Sequence, residues 1–263
     1  MLVASRLLLE RGMLSRTAVR LSDIILPAIG YSSSKKKLPL PKAKKTRKLS
    51  KFPYKFIAIE GNIGTGKTTM CNILQQEFGC DLILEQFTDN PFLPYFYKDQ
   101  ERYGFPVELF FMTERYKQLS SFFSAPDIFN PQIFSDYFFM KTLLFAGNNL
   151  KDEEYRLFHR LFSILNKEFP KPDIIFYLHR PIDRLVENIK RRSRDMESDI
   201  SKEYLLSIQN AYMDYFKNIV DFPVVILEID DMDFVNNDAD YQLIVEHFQK
   251  EYAPGLTHIR LKV

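Results

Sequence analysis

The chain has 263 residues, 46% of them hydrophobic, and a formal net charge of +2. That length fits one α/β domain with an extension and supplies enough apolar surface for a large core. Its most apolar stretch, 138–145, is too short to span a membrane and contains Lys141, and two cysteines make no disulfide framework.

The small net charge hides an asymmetry. Residues 1–50 carry 12 Lys and Arg against only Glu10 and Asp23, a net of +10, whereas the rest of the chain carries 24 against 32, a net of −8. So acidic a body argues against nucleic acid as the main ligand. In 1–50, Arg6, Arg11, Arg16 and Arg20 interrupt an apolar, acid-poor segment in the manner of a mitochondrial transit peptide. Ser32-Ser33-Ser34-Lys35-Lys36-Lys37 and the basic run 42–48 then form a linker expected to be disordered. A solvated tail is the alternative, and the folded domain is expected over 51–263. The compartment follows from that choice: cytoplasmic, or the mitochondrial matrix if 1–50 is a transit peptide.

A short apolar run from Phe56 reads as a buried strand and leads into Gly61-Asn62-Ile63-Gly64-Thr65-Gly66-Lys67-Thr68-Thr69. This stretch fits G-x-x-x-x-G-K-[ST] without a gap, and a helix-compatible segment follows over 68–78. Strand, motif and helix together define a phosphate-binding P-loop. Its glycines bring backbone N–H groups close to phosphate oxygens, and the helix start adds the positive end of its dipole. Lys67 can reach the β- and γ-phosphates and the Thr68 hydroxyl can ligate Mg²⁺. Cys71 and Cys80 read as reduced core residues.

Strands are expected over 81–85, 132–136, 173–178 and 224–229, alternating with helices over 107–123, 138–146, 153–169, 182–190, 204–220 and 240–252. That alternation predicts a three-layer P-loop NTPase fold with a five-stranded parallel sheet. The second strand ends at Glu85, a candidate general base at the carboxyl edge where ligands bind. The third ends at Asp136, a second candidate metal ligand in addition to Thr68. On the helix over 107–123, Glu108, Phe111 and Arg115 share a face. Lys190, Arg191, Arg192 and Arg194 read as an arginine-rich lid over the triphosphate, with a solvated helix end as the alternative.

Taken with Tyr97, Glu101-Arg102 and the Arg192-Ser193-Arg194 lid, the P-loop and Glu85 make residues 54–235 resemble the deoxynucleoside kinase family, and bacterial members above all. The resemblance implies ATP-dependent phosphorylation of a deoxynucleoside 5′-hydroxyl, with Mg²⁺, in a homodimer joined through helices near 107–165. Glu85 matches the family's base, Tyr97 the tyrosine on the sugar 3′-hydroxyl and Glu197 its carboxylate partner. Arg192 and Arg194 match the lid arginines, and Asp233-Phe234 falls near the ATP base.

Two departures stand out. Ser135-Asp136-Tyr137 replaces the family's acid-Arg-Ser triplet, so the arginine that steadies the base is missing and the acid has moved by one position. A one-residue shift on a strand reverses side-chain direction. Glu108 replaces the glutamine that reads the nucleobase, and Lys141 stands at the place of a base-contacting aspartate. An ionised Glu108 offers acceptors only and fits the two adjacent donors of guanine, with Lys141 on the guanine carbonyl. Alternatively Glu108 pairs with Lys141 or Arg115. The rival functions are a nucleoside monophosphate kinase and a catalytically weakened nucleotide-binding protein. Glu85 counts against the first, since a carboxylate beside the acceptor repels a substrate phosphate.

Overall fold

The computed structural model describes residues 52–86, 90–124, 132–194, 197 and 199–261. The transit-peptide and linker expectations for 1–50 therefore lie outside the described residues.

Strand β1 (Phe56–Gly61) is buried along its whole length because it runs through the middle of the sheet. It pairs in parallel with β3 (Ile133–Ser135) on one side and β4 (Ile174–His179) on the other. Outside these lie β2 (Asp81–Ile83), β5 (Pro223–Glu228) and β6 (Gly255–Arg260), giving the order β2-β3-β1-β4-β5-β6 with every pair parallel. The parallel α/β sheet is as expected, with a sixth strand in addition. Strand β6 escapes sequence reading because it is an edge. Its outward residues Leu256, His258 and Arg260 are exposed, so no apolar run marks it. His258 and Arg260 instead reach Glu228 on β5.

Side-chain alternation makes the layers. Ile57 and Ile59 face helices α1 (Lys67–Phe78) and α8 (Asp238–Phe248), packing with Met70, Leu74, Ile244 and Phe248. Ala58 faces the other way, into a core with Tyr177, Ile208, Tyr212 and Phe216. That second layer holds α3 (Gln100–Ser124), α4 (Lys141–Asn149) and α7 (Lys202–Phe216). Helix α5 (Asp152–Leu165) buries Phe158 and Phe162 beside them, α2 (Leu93–Phe96) is a single turn, and α6 (Ile182–Arg192) ends in the arginine-rich segment expected to form a lid. Both cysteines are buried and free.

Helix α3 starts at Gln100 rather than at 107. Pro106 breaks one backbone hydrogen bond, yet the helix runs through it. The Asp99 carboxylate accepts from the Arg102 N–H at 3.1 Å and holds the first turn. Gly104 lets α3 press against α4: a Cβ there would come within 2.8 Å of the Asn149 carbonyl.

Candidate active site

The P-loop connects β1 to α1. Gly64 and Gly66 sit at φ 85° and 101°, a left-handed backbone that side chains resist. A Cβ on Gly66 would lie 2.9 Å from the Phe234 ring, and one on Gly64 2.9 Å from the Leu185 carbonyl. The loop is braced from inside: Asn62 Nδ2 donates to the Leu205 carbonyl at 2.7 Å, its Oδ1 accepts from the Ile63 N–H at 2.8 Å, and Thr65 Oγ1 donates to the Asn62 carbonyl at 2.8 Å. Lys67 Nζ donates to the carbonyls of Gly61 at 2.8 Å and Asn62 at 3.0 Å. Burial, then repulsion from Lys141, pulls this ammonium down to about 8.

Two cavities open on either side of the loop and share Gly64 and Arg192. The first, about 430 Å³, is bordered by Gly66, Thr69, Arg180, Arg184, Asp233 and Phe234. Arg180 donates to the carbonyls of Asp230 at 2.8 Å and Met232 at 2.7 Å and so fixes the loop carrying Phe234. Sequence reading passed over Arg180 and Arg184. Their only signal was their place just beyond an apolar strand, where ligands of parallel sheets bind.

The second cavity joins Lys67, Thr68, Glu85, Tyr97, Glu108, Arg115, Asp136, Lys141, Arg194 and Glu197. Every expected acceptor-side residue therefore meets in one place, although they come from three helices, three loops and the segment after α6. Apolar walls come from Leu93, Phe96, Phe111, Phe145 and Tyr204, of which the sequence singles out only Phe111. Glu101 does not join them, because it pairs with Lys151 at the surface.

Glu85 is clamped. Arg115 donates to its Oε1 through Nε at 2.9 Å and a terminal nitrogen at 2.5 Å, and Lys141 Nζ donates to Oε2 at 2.6 Å. Burial pushes the Glu85 carboxyl up, but Lys141 and Arg115 together outweigh it and hold the group well below the usual carboxylate range. The expectation that the base lacks a steadying arginine is thus corrected: α3 and α4 supply two cations in place of one from the β3 loop. The same contacts remove Lys141 from the role of reading a guanine carbonyl, and neither Lys141 nor Arg115 pairs with Glu108.

Ser135 and Asp136 point in opposite senses. Ser135 Oγ donates to the Tyr137 carbonyl at 2.5 Å, inside the core. Asp136 Oδ2 takes the Thr68 hydroxyl bond and its Oδ1 accepts from the Glu85 N–H at 2.7 Å. Burial, and then the Glu85 charge, raises Asp136 above its ordinary value, which a cation at this point would reverse. Thr68 and Asp136 are hard oxygen donors side by side, which suits Mg²⁺ held by one carboxylate and completed by phosphate oxygens and water. Among the described residues no group of three or more His, Cys, Asp or Glu side chains forms a self-sufficient metal cage.

At the lid, Glu197 holds Arg192 and, at 3.2 Å, Arg194. Burial, then the Glu197 charge, keeps the Tyr97 phenol protonated and a hydrogen-bond donor. Glu108 is 1% exposed and takes one bond, from Asn149 Nδ2 to Oε1 at 2.6 Å, while its Oε2 has no partner.

A P-loop with an arginine-bordered cavity on one side and a clamped carboxylate in the cavity on the other is an arrangement suited to phosphoryl transfer. Residues 57–253 match the family model described as deoxynucleoside kinase. The chain is 33% identical over 202 residues to a deoxyguanosine kinase of Bacillus subtilis (strain 168), covering 74% of this chain and 96% of that one. It is 31% identical over 195 residues to a deoxyadenosine kinase of Dictyostelium discoideum, covering 73% and 79%. A solved deoxyadenosine kinase from M. mycoides with bound dATP shares the fold at a TM-score of 0.61 and 24% identity, covering 74% of this chain and 98% of that one. The chain belongs to the deoxynucleoside kinase family and, with it, to the ATP-dependent phosphotransferases of nucleotide salvage.

Proposed function

We propose that the chain transfers the γ-phosphoryl group of ATP to the 5′-hydroxyl of a purine deoxynucleoside, with Glu85 as the base. The observation that carries this is Glu85 at the floor of the acceptor cavity, held in one orientation by Arg115 and Lys141. A neutral hydroxyl fits beside this carboxylate, whereas a nucleoside monophosphate would set its own charge against it. Both relatives described above act by their names on purine deoxynucleosides.

Phosphoryl transfer asks mainly for positioning and charge stabilisation. Glu85 accepts a hydrogen bond from the 5′-hydroxyl and takes its proton as the new P–O bond forms and the bond to the bridging oxygen breaks. A carboxylate so depressed is a poor base toward a free alcohol. It suits a loose transition state, in which the proton leaves late. Lys67 and the P-loop N–H groups hold the phosphates. Arg192 and Arg194 leave Glu197 to meet the transferring group, which frees Glu197 to accept a sugar hydroxyl with Tyr97. Thr68 and Asp136 would hold Mg²⁺, which when bound neutralises charge on the β- and γ-phosphates. Asp233 and Phe234 border the cleft for the ATP base.

The working unit in this reading is a homodimer joined through α5, where Leu157, Leu161 and Ile164 expose an apolar stripe opposite the buried Phe158 and Phe162. Among the described residues no helix is long and apolar enough to cross a membrane. A cytoplasmic site follows from the bacterial relatives, and the mitochondrial matrix from the composition of 1–50; a fluorescent fusion of the full chain decides between them. A coupled ADP-release assay with deoxynucleosides and dTMP tests the activity. Turnover with deoxyadenosine or deoxyguanosine supports the proposal, and turnover with dTMP alone contradicts it.

A further inference from the structure

Among the described residues lining the acceptor cavity, one fully buried side-chain polar atom, Glu108 Oε2, has no hydrogen-bond partner. Glu108 lies on α3, is almost wholly buried and borders the cavity beside the Phe111 and Phe145 rings. Its Oε1 accepts from Asn149 Nδ2, while Oε2 has no partner. Asn149 Oδ1 accepts from Asn148 Nδ2 at 3.0 Å, which turns the Asn149 NH2 toward Glu108 in this arrangement. A proton on Glu108 therefore belongs on Oε2. Buried polar atoms are seldom left without partners, and such an atom on a cavity wall is a recognition point for a ligand.

We infer that Glu108 selects the nucleobase by its protonation state, taking guanine when ionised and adenine when protonated. This rests on the proposed deoxynucleoside kinase reading of the cavity. An ionised Glu108 presents two acceptors, which match the ring N–H and amino group of guanine. Protonated, it presents an Oε2–H donor and an Oε1 acceptor, which match the ring nitrogen and amino group of adenine. Each form leaves the wrong base with a lone pair facing a lone pair or a proton facing a proton, a mismatch that a buried site penalises.

The surroundings place the switch near neutrality. Burial raises the Glu108 carboxyl to about 7; Arg115 on the same helix, the Asn149 bond and Lys141 on α4 oppose that rise, and the Glu85 charge adds to it. Tyr97 beyond α2 and Tyr204 on α7 face the same space, and both phenols are held neutral by burial. Arg192, Arg194 and Glu197 border it from the lid as mutually paired charges. Between pH 6 and 8 the ionised share of a group titrating near 7 goes from about one tenth to about nine tenths.

The test is the ratio of kcat/KM for deoxyguanosine to that for deoxyadenosine, measured from pH 5.5 to 8.5. Titrations of Glu85, Lys67 and the phosphates act on both substrates and cancel in the ratio. The wild-type ratio is expected to rise by about tenfold or more between pH 6 and 8. Glu108→Gln should flatten the profile and favour deoxyadenosine throughout. Asn149→Ala, which removes a bond to the charged form, should move the midpoint to higher pH. A flat wild-type ratio overturns the inference, as does an equal slope in Glu108→Gln. Calorimetric affinities for the two nucleosides at the same pH values separate the two readings. If the affinity ratio shifts with pH but neither nucleoside is phosphorylated, the kinase proposal falls and the selection stands. If phosphorylation occurs at a constant ratio, the selection falls and the kinase stands.

Discussion

Glu85, Asp136 and Glu108 are three buried carboxylates whose neighbours give them three different states. Glu85 sits between two cations and stays ionised, Asp136 shares a hydroxyl with Thr68, and Glu108 has one amide bond and one bare oxygen. The P-loop was legible in the sequence because its geometry is encoded in nine consecutive residues. The Glu85 clamp was not, because Arg115 lies 30 residues away and Lys141 56. Nothing local in either residue tells which carboxylate it will meet. For Asp136, facing Thr68 while Ser135 faces the core, Asp136→Asn should raise the Mg²⁺ concentration for half-maximal rate by about tenfold or more, as loss of a hard ligand does. Ser135→Ala should change it little, and a larger effect from Ser135→Ala would reverse the assignment. Glu108 also predicts a stability signature. Its folded-state value is raised to about 7, so the folded chain binds this proton more tightly than the unfolded chain. That contribution is complete below the unfolded value near 4.5 and is lost as pH rises through about 7. Glu108→Gln cannot ionise. It should be more stable than wild type at pH 8.5, by up to about 3 kcal/mol for a shift of this size, with a higher Tm, and the difference should shrink as pH falls toward about 4.5. A difference independent of pH would show that Glu108 does not titrate in this window.

Among the elements, central strands were legible and boundaries and edges were not. β1, β4 and β5 are apolar because both faces are covered, whereas β6 carries alternating exposed residues that give no strand signal. α3 looked shorter than it is because Pro106 marks a start in sequence, while Asp99 and the Gly104 contact carry the helix through it. The element most exposed to a single change is the start of α1. Gly66 caps it at φ 101° and lies under the Phe234 ring. Gly66→Ala should cost about 1–3 kcal/mol of stability, the usual cost of a side chain in such a backbone. It should also raise the KM for ATP more than that for the nucleoside, because the displaced ring borders only the nucleotide cleft. Equal effects on the two KM values would show that the damage is not confined to that cleft.

Over the whole described domain, the sheet order places β1 in the middle and sends its loop between a donor cleft and an acceptor cavity. Arg192 borders both. The exposed α5 stripe adds an oligomeric prediction. Leu161→Asp with Ile164→Asp should convert a dimer to a monomer in light scattering while leaving the far-UV circular dichroism unchanged, because neither side chain is in the core. A wild-type monomer would remove the stripe from this role. In the proposed mechanism Glu85 accepts the proton of a 5′-hydroxyl while two fixed cations orient it. Glu85→Gln keeps the size of the side chain and one acceptor oxygen, turns the other oxygen into an NH2 donor and removes the basicity. In single-turnover measurements with saturating ATP and deoxyguanosine, this variant should bind ATP as the wild type does and form deoxyguanosine 5′-monophosphate about 10²–10⁴-fold more slowly. Phosphoryl transfer within a few-fold of the wild-type rate would contradict the account.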